Sequence, residues 1–326
     1  MKMRNSSIEL LRLILMFVIL LFHVIGHGSS IMTEGINAFK INNTVDLWKI
    51  TSYSFLYFPV DCFVIISGYF GIKFRKAKIV ELWLSLLLVS ITISLVFFLF
   101  KVADVSLIKA LLPLRYDIWW FMTNYFMLCL LSPVLNKVDE FNIKSPKLFL
   151  GTLICFDFIF HNALANFIIC YLIGKTLKRI IFSRKEIYGM IVFAVILHLL
   201  IVILLTKKES AHIFLLLDNY SPIIIIQAIL VFLLFNNNLN FSSRVINLIS
   251  SVSIYVYLIT DHPLVRQKIV SYINEAARRF DFIKILVFSI LLFICSLIIG
   301  GGYKIFLFLM TKIIKKVSSN LHEKKF

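Results

Sequence analysis

Ile8-Glu9-Leu10-Leu11-Arg12-Leu13-Ile14-Leu15-Met16-Phe17-Val18-Ile19-Leu20-Leu21-Phe22-His23 is the stretch that decides how this chain is read. Every residue between Arg12 and His23 is aliphatic, Met or Phe. Eleven helical steps of about 100° return His23 to nearly the face that carries Arg12, and a rise of ~1.5 Å per residue sets the two roughly 16 Å apart along the axis. An ionisable side chain at such depth in an apolar helix is costly, and its presence points to a functional site.

The rest of the chain repeats this character. Of its 326 residues 60% are hydrophobic, the mean hydropathy is +0.93, and charge collects in short clusters between apolar runs. That is the composition of an all-α, polytopic membrane helix bundle, and residues 1–326 read as one transmembrane domain without an appended soluble domain. The net charge of +17 does not argue for nucleic acid, because the basic residues flank the apolar runs, where topology accounts for them. Cys62, Cys129, Cys155, Cys170 and Cys295 all lie within apolar runs and read as small buried hydrophobes; no spacing suggests a metal site. Lys2 and Arg4 followed by an apolar core imitate a secretion signal, but Phe22-His23-Val24 follows the core where a small-residue cleavage site belongs, so the segment reads as an uncleaved first helix.

Apolar runs long enough to span occur near 7–27, 53–72, 79–100, 118–136, 187–206, 245–262 and 284–310, with shorter ones at 148–160, 163–181 and 222–235. About ten transmembrane helices are therefore expected, with 104–117 an external or re-entrant piece. Placing both termini in the cytoplasm puts most of the 34 basic residues on the inner side, among them Lys2, Arg4, Lys73, Arg75, Lys76, Lys78, Lys175, Lys178, Arg179, Lys324 and Lys325. Lys207, Lys208 and the basic residues of the 263–283 loop fall outside.

Several side chains carry possible chemistry. His23 near the outer end is a base with a pKa near working pH, or a histidine that bonds helices together. Arg12 near the inner end is a ligand for an anion or a topogenic anchor, and Glu9, three residues earlier, either pairs with it or shares its role. Asp61 follows Pro59 in an otherwise apolar helix and is a candidate to orient the His23 ring. Trp119, Trp120 and Tyr125 form an aromatic interface belt or stack on a substrate. Lys73 and Arg75, with Lys76 and Lys78, are topogenic or meet phosphates.

Five segments, in order along nearly the whole chain, resemble the membrane acyltransferase 3 family. Ser7 to Arg12 continuing to His23 and His27-Gly28 is similar to its Arg-x10-His first helix, and Phe63-Val64-Ile65-Ile66-Ser67-Gly68-Tyr69-Phe70 to its FxxxSGY element. Trp119-Trp120-Phe121-Met122-Thr123-Asn124-Tyr125, ending in Leu131-Ser132-Pro133-Val134-Leu135-Asn136, resembles its WF…Y…LSPxLN segment. Tyr171-Leu172-Ile173-Gly174 resembles a YLIG element, and Tyr255 to Pro263 a late YLIHDNP-like element. The resemblance implies transfer of an acyl group, usually acetyl, from cytoplasmic acyl-CoA to a hydroxyl of a surface or lipid-linked glycan in a bacterial plasma membrane. Acyl-CoA is then a donor substrate, with no permanently bound cofactor. The family's catalytic histidine maps to His23 and its donor-linked arginine to Arg12. Within the late element Asp261 is assigned to acceptor binding. Thr260 stands where relatives carry His, and His262 either takes over that imidazole or is an interfacial polar residue. His23 acts as general base or carries the acyl group itself. The rival class is a transporter or flippase of lipid-linked saccharides, which predicts symmetry between the two halves; the sequence shows no internal repeat.

Overall fold

The computed structural model describes residues 5–41, 44–207 and 218–323; the basic residues Lys2, Arg4, Lys208, Lys324 and Lys325 lie outside them. The helices are α1 (Ser6–Gly28), α2 (Ile31–Glu34), α3 (Leu47–Ser54), α4 (Pro59–Phe70), α5 (Lys76–Leu99), α6 (Leu107–Leu111), α7 (Trp120–Leu135) and α8 (Pro146–Phe160). They continue with α9 (Ala163–Leu177), α10 (Arg184–Lys207), α11 (Pro222–Asn238), α12 (Arg244–Ser250), α13 (Ile254–Thr260), α14 (Pro263–Arg279) and α15 (Phe282–Glu323). The only strands among the described residues are Lys40–Ile41 and Thr44–Val45, paired antiparallel.

Local chemistry sets the helix ends. Proline opens α4, α8, α11 and α14, where its missing N–H costs nothing. Asn5 caps α1 by accepting from the Ser7 N–H, Asn162 caps α9, and Gly71 ends α4 at φ +76°, a conformation that glycine adopts without strain.

Each of the ten apolar runs overlaps a helix, but among the described residues five helical segments are long and apolar enough to cross a bilayer: Ser6–Gly28, Leu47–Phe70, Lys76–Leu99, Arg184–Thr206 and Phe282–Lys312. Others fall short: α8 and α9 have 15 residues each, about 22 Å of helix against a hydrocarbon core of ~30 Å. The run 245–262 is not one straight span. It breaks between α12 and α13, and the chain then bends by 78° into α14. Pro263 is the cause of that corner, since the residue before a proline is held out of the helical region, and His262 is extended at ψ 129°. The 104–117 segment carries only the short α6.

The bundle is arranged around α1, which packs on α4, α11, α12, α13, α14 and α15. Its buried side includes Leu11, Leu15, Leu20 and Ile25. Outer helices turn large apolar side chains outward, among them Phe98, Ile159, Phe193, Ile298 and Phe308, an exterior suited to lipid rather than water. A buried polar lock ties α3, α10 and α11: the His198 ring meets Ser54 Oγ at 2.7 Å and Gln227 Nε2 at 2.9 Å.

Helices α4 and α9 cross in close backbone contact. A Cβ added at Gly68 would collide with the Tyr171 carbonyl, and one added at Gly174 with the Ile65 carbonyl. Backbone cannot yield as a side chain tip can, so Gly68→Ala and Gly174→Ala should each destabilise the bundle by about 1–3 kcal/mol or more. Thermal unfolding in detergent measures this, with Gly151→Ala, where the added methyl meets open space, as the control.

Candidate active site

Helix α1 aligns Arg12, Met16, Ile19, His23 and His27 along one stripe. At one end of that stripe, the α13–α14 corner brings Asp261 against α1. His23 Nδ1 lies 3.6 Å from Asp261 Oδ1, His27 Nε2 lies 3.9 Å from the same oxygen, and Arg266 NH1 of α14 lies 3.3 Å from it. Asp261 is almost wholly buried. At 3.6 Å the approach of His23 to Asp261 is a charge contact rather than a hydrogen bond, and a carboxylate on that side of the ring favours a proton on Nδ1, which leaves Nε2 free to accept one. Arg266 adds positive charge beside Asp261 Oδ1 and donates to it. The Tyr257 ring, one turn before Asp261, stands 6.0 Å from the His23 ring.

His23 borders a narrow apolar chamber of about 30 Å³ between Met16, Ile19, Val60, Phe63 and Trp120, room for little more than a water molecule. Met16 and Ile19 are the residues of the stripe between Arg12 and His23, so the chamber lies on the arginine side of the histidine without reaching Arg12. Phe121 continues this wall: its ring faces Tyr257 at 5.8 Å and stacks on Tyr125 at 5.8 Å. The Tyr125 hydroxyl reaches Ser67 Oγ at 3.4 Å.

At the other end Arg12 NH1 bonds Glu9 Oε1 at 2.7 Å, and the buried Glu9 also accepts from Ser250 Oγ at 2.6 Å. Glu9 thus binds α1 to α12 as well as pairing with Arg12. Lys73 and Arg75 lie exposed in the segment between α4 and α5. Nearby, the buried Lys175 pairs with Asp139 at 2.6 Å, and Arg179 donates to the carbonyls of Val138, Asp139 and Phe141.

Asp61 does not turn toward His23. It is fully buried beside Asp157, Asn166 and Cys170, on the other side of α4. Asn166 donates to Asp157 Oδ2 at 2.9 Å. Farther out Asp218 meets His161 at 3.6 Å, and burial pushes the Asp218 carboxyl up to about 6. The carboxylate beside the His23 ring is therefore Asp261, which the sequence analysis had assigned to acceptor binding. Trp119 is also placed differently from an interface belt or a stacking platform: it is buried, and its Nε1 donates to the Leu258 carbonyl at 3.1 Å, holding α13 in place. His262 Nδ1 accepts from the Leu264 N–H at 3.3 Å, capping α14, and its ring faces Trp119 at 5.6 Å. Trp120 is half-buried and lines the His23 chamber. Sequence reasoning gave Arg266 only a share in the basic outer loop 263–283, read as topogenic or as facing an anionic ligand or surface, gave no role to Tyr257 and none to His27 beyond the first-helix resemblance. The signal for them was Pro263, which marks a chain corner directly after an acidic residue.

An apolar helical bundle with a half-buried imidazole set against a buried carboxylate at one end and a half-buried arginine paired with a buried glutamate at the other is the architecture of a membrane protein built around an internal polar site. The family model for the acyltransferase domain of the acyltransferase 3 family matches residues 5–302. The chain belongs to that family and is a membrane acyltransferase. No curated protein and no solved structure matches it.

Proposed function

We propose that this protein is an O-acyltransferase of the bacterial plasma membrane that moves a short acyl group, acetyl foremost, from acyl-CoA to a hydroxyl of a surface or lipid-linked glycan. The observation that carries the reading is the His23–Asp261 pair at the edge of a chamber on the Arg12 side of the histidine. In this reading the chain crosses the membrane about ten times, the shorter helices included, with both termini and the Arg12 end in the cytoplasm. The exposed Lys73 and Arg75 after α4 then face the phosphates of coenzyme A, and the roughly 16 Å between Arg12 and His23 is bridged by the donor's thioester arm.

The chemistry follows from the geometry. His23 Nε2 accepts the proton of the acceptor hydroxyl while Asp261 stabilises the resulting imidazolium. The oxygen attacks the thioester carbonyl, and the tetrahedral intermediate collapses with cleavage of the C–S bond. The departing thiolate takes the proton from His23, so the products are the ester and coenzyme A thiol, and the base is restored. The chamber must widen to admit the donor arm, because its present volume does not accommodate it.

The test is transfer of labelled acetyl from acetyl-CoA to glycan in membranes containing the protein, with the ester located by NMR and mass spectrometry. Absence of acyl transfer to any hydroxyl of the glycan made by the producing cell would overturn the proposal. Arg12→Gln provides a second check. Loss of a charged hydrogen bond of about 1.5–3 kcal/mol should raise the KM for acetyl-CoA by roughly 10- to 100-fold, with a smaller change in kcat.

A further inference from the structure

Trp120 borders two voids, not one. Besides the chamber at His23, its indole lines a cleft of about 340 Å³ at the same end of the bundle, walled by Asp104, Lys109, Tyr116, Asp117, His262 and Arg266. Asp261 also lines this cleft. The cleft thus reaches the carboxylate that backs the base, while His23 itself lies in the other void. The indole is held edge-on between Phe121, at 6.3 Å, and Phe167, at 6.1 Å.

We infer that the cleft is the acceptor subsite, built for a sugar ring, and that the Trp120 indole is the partition past which the acceptor hydroxyl must move to meet His23. The inference rests on the acyltransferase reading and adds to it where the acceptor sits and which side chain limits its size. The wall chemistry suits a pyranose. Asp104 and Asp117 accept from ring hydroxyls, Lys109 and Arg266 donate to ring oxygens, and the indole offers an apolar face to the C–H side of the ring. A volume near the lower end of small-ligand sites, about 300–1,000 Å³, holds one or two rings at the reacting end of a longer glycan. Tyr116 and the exposed Asp104, Lys109 and Asp117 line the side through which such a chain leaves.

Cysteine labelling tests both halves without depending on catalysis. Ile19→Cys places a thiol in the His23 chamber, and its reaction with a water-soluble methanethiosulfonate reports access from the cleft. With Trp120 present the reaction should be slow. Trp120→Ala should accelerate it by roughly 10- to 1,000-fold, as expected if the open state is populated at 0.1–10% in the parent. An unchanged rate overturns the partition. Asp117→Cys reports occupancy of the cleft. A mixture of methyl glycosides of a hexose and an N-acetylhexosamine, at high millimolar concentration, should slow its labelling at least severalfold, while glycerol at equal concentration should not. Equal effects of the two overturn the sugar subsite. Peptide mapping by mass spectrometry assigns the label, and Trp120→Phe controls for loss of folding. If both labelling results hold but no acyl transfer is found, the acyltransferase reading fails while the sugar cleft and its partition stand.

Discussion

His23→Gln is expected to lower kcat for acyl transfer by roughly 10²- to 10⁴-fold, the range associated with loss of a positioned general base. Glutamine keeps a hydrogen-bonding amide of similar reach in the same place, so the Asp261 carboxylate retains a neighbour and the bundle retains its packing. It has no nitrogen that accepts a proton near neutral pH. The KM for acetyl-CoA should change little, because the side chains proposed to hold the donor's phosphates lie at the far end of α1. The measurement is initial-rate transfer of labelled acetyl from acetyl-CoA by purified protein in detergent, with unfolding temperature followed alongside. A variant that folds and transfers at the parental rate would remove His23 from the chemistry and, with it, the general-base mechanism.

The stripe that leads to His23 was readable because it lies on one helix, where spacing alone fixes the face. Helix starts had an equally local signal in Pro59, Pro146, Pro222 and Pro263, each of which opens a helix, but the apolar run 53–72 was read straight through Pro59. What lay beyond reach was helix phase relative to distant partners. Asp61 and Asp261 are both carboxylates near one end of the bundle, and sequence offered no means to choose between them. On α4, Val60 and Phe63 border the His23 chamber, whereas Asp61, Ile65 and Gly68 lie on the stripe that meets α9, where the Ile65 carbonyl and Gly68 abut Gly174 and Tyr171. One residue of rotation, about 100°, separates the two faces. Trp119 and Trp120 divide in the same way, one bonding α13 and the other lining two voids. The ends of the apolar runs were less legible for another reason. Hydropathy does not register caps, so runs such as 163–181 and 245–262 extend past the points where Leu177 and the α12–α13 break end regular helix.

That separation of faces makes Asp261→Asn and Asp61→Asn a decisive pair. Asp261→Asn is nearly isosteric but removes the negative charge beside His23 Nδ1 and sets an amide able to donate there. The tautomer is then free to invert, placing the proton on Nε2, where it blocks base catalysis. A fall in kcat of roughly 10²- to 10⁴-fold is expected, the scale associated with converting the carboxylate behind a catalytic imidazole to an amide. Arg266 loses its counter-charge in the same step, but its side chain is 37% exposed, so water compensates and folding should survive. Asp61→Asn removes a carboxyl that has no contact with the base, and its partners Asp157 and Asn166 accept an amide readily; transfer should stay within a factor of a few of the parent. The two variants are compared in one assay at saturating acetyl-CoA, after matching folded fraction by size exclusion. Were Asp61→Asn the crippled enzyme and Asp261→Asn the active one, the corner at Pro263 would be a structural bend only, and the orienting carboxylate would have to be sought on the α4–α9 side of the bundle.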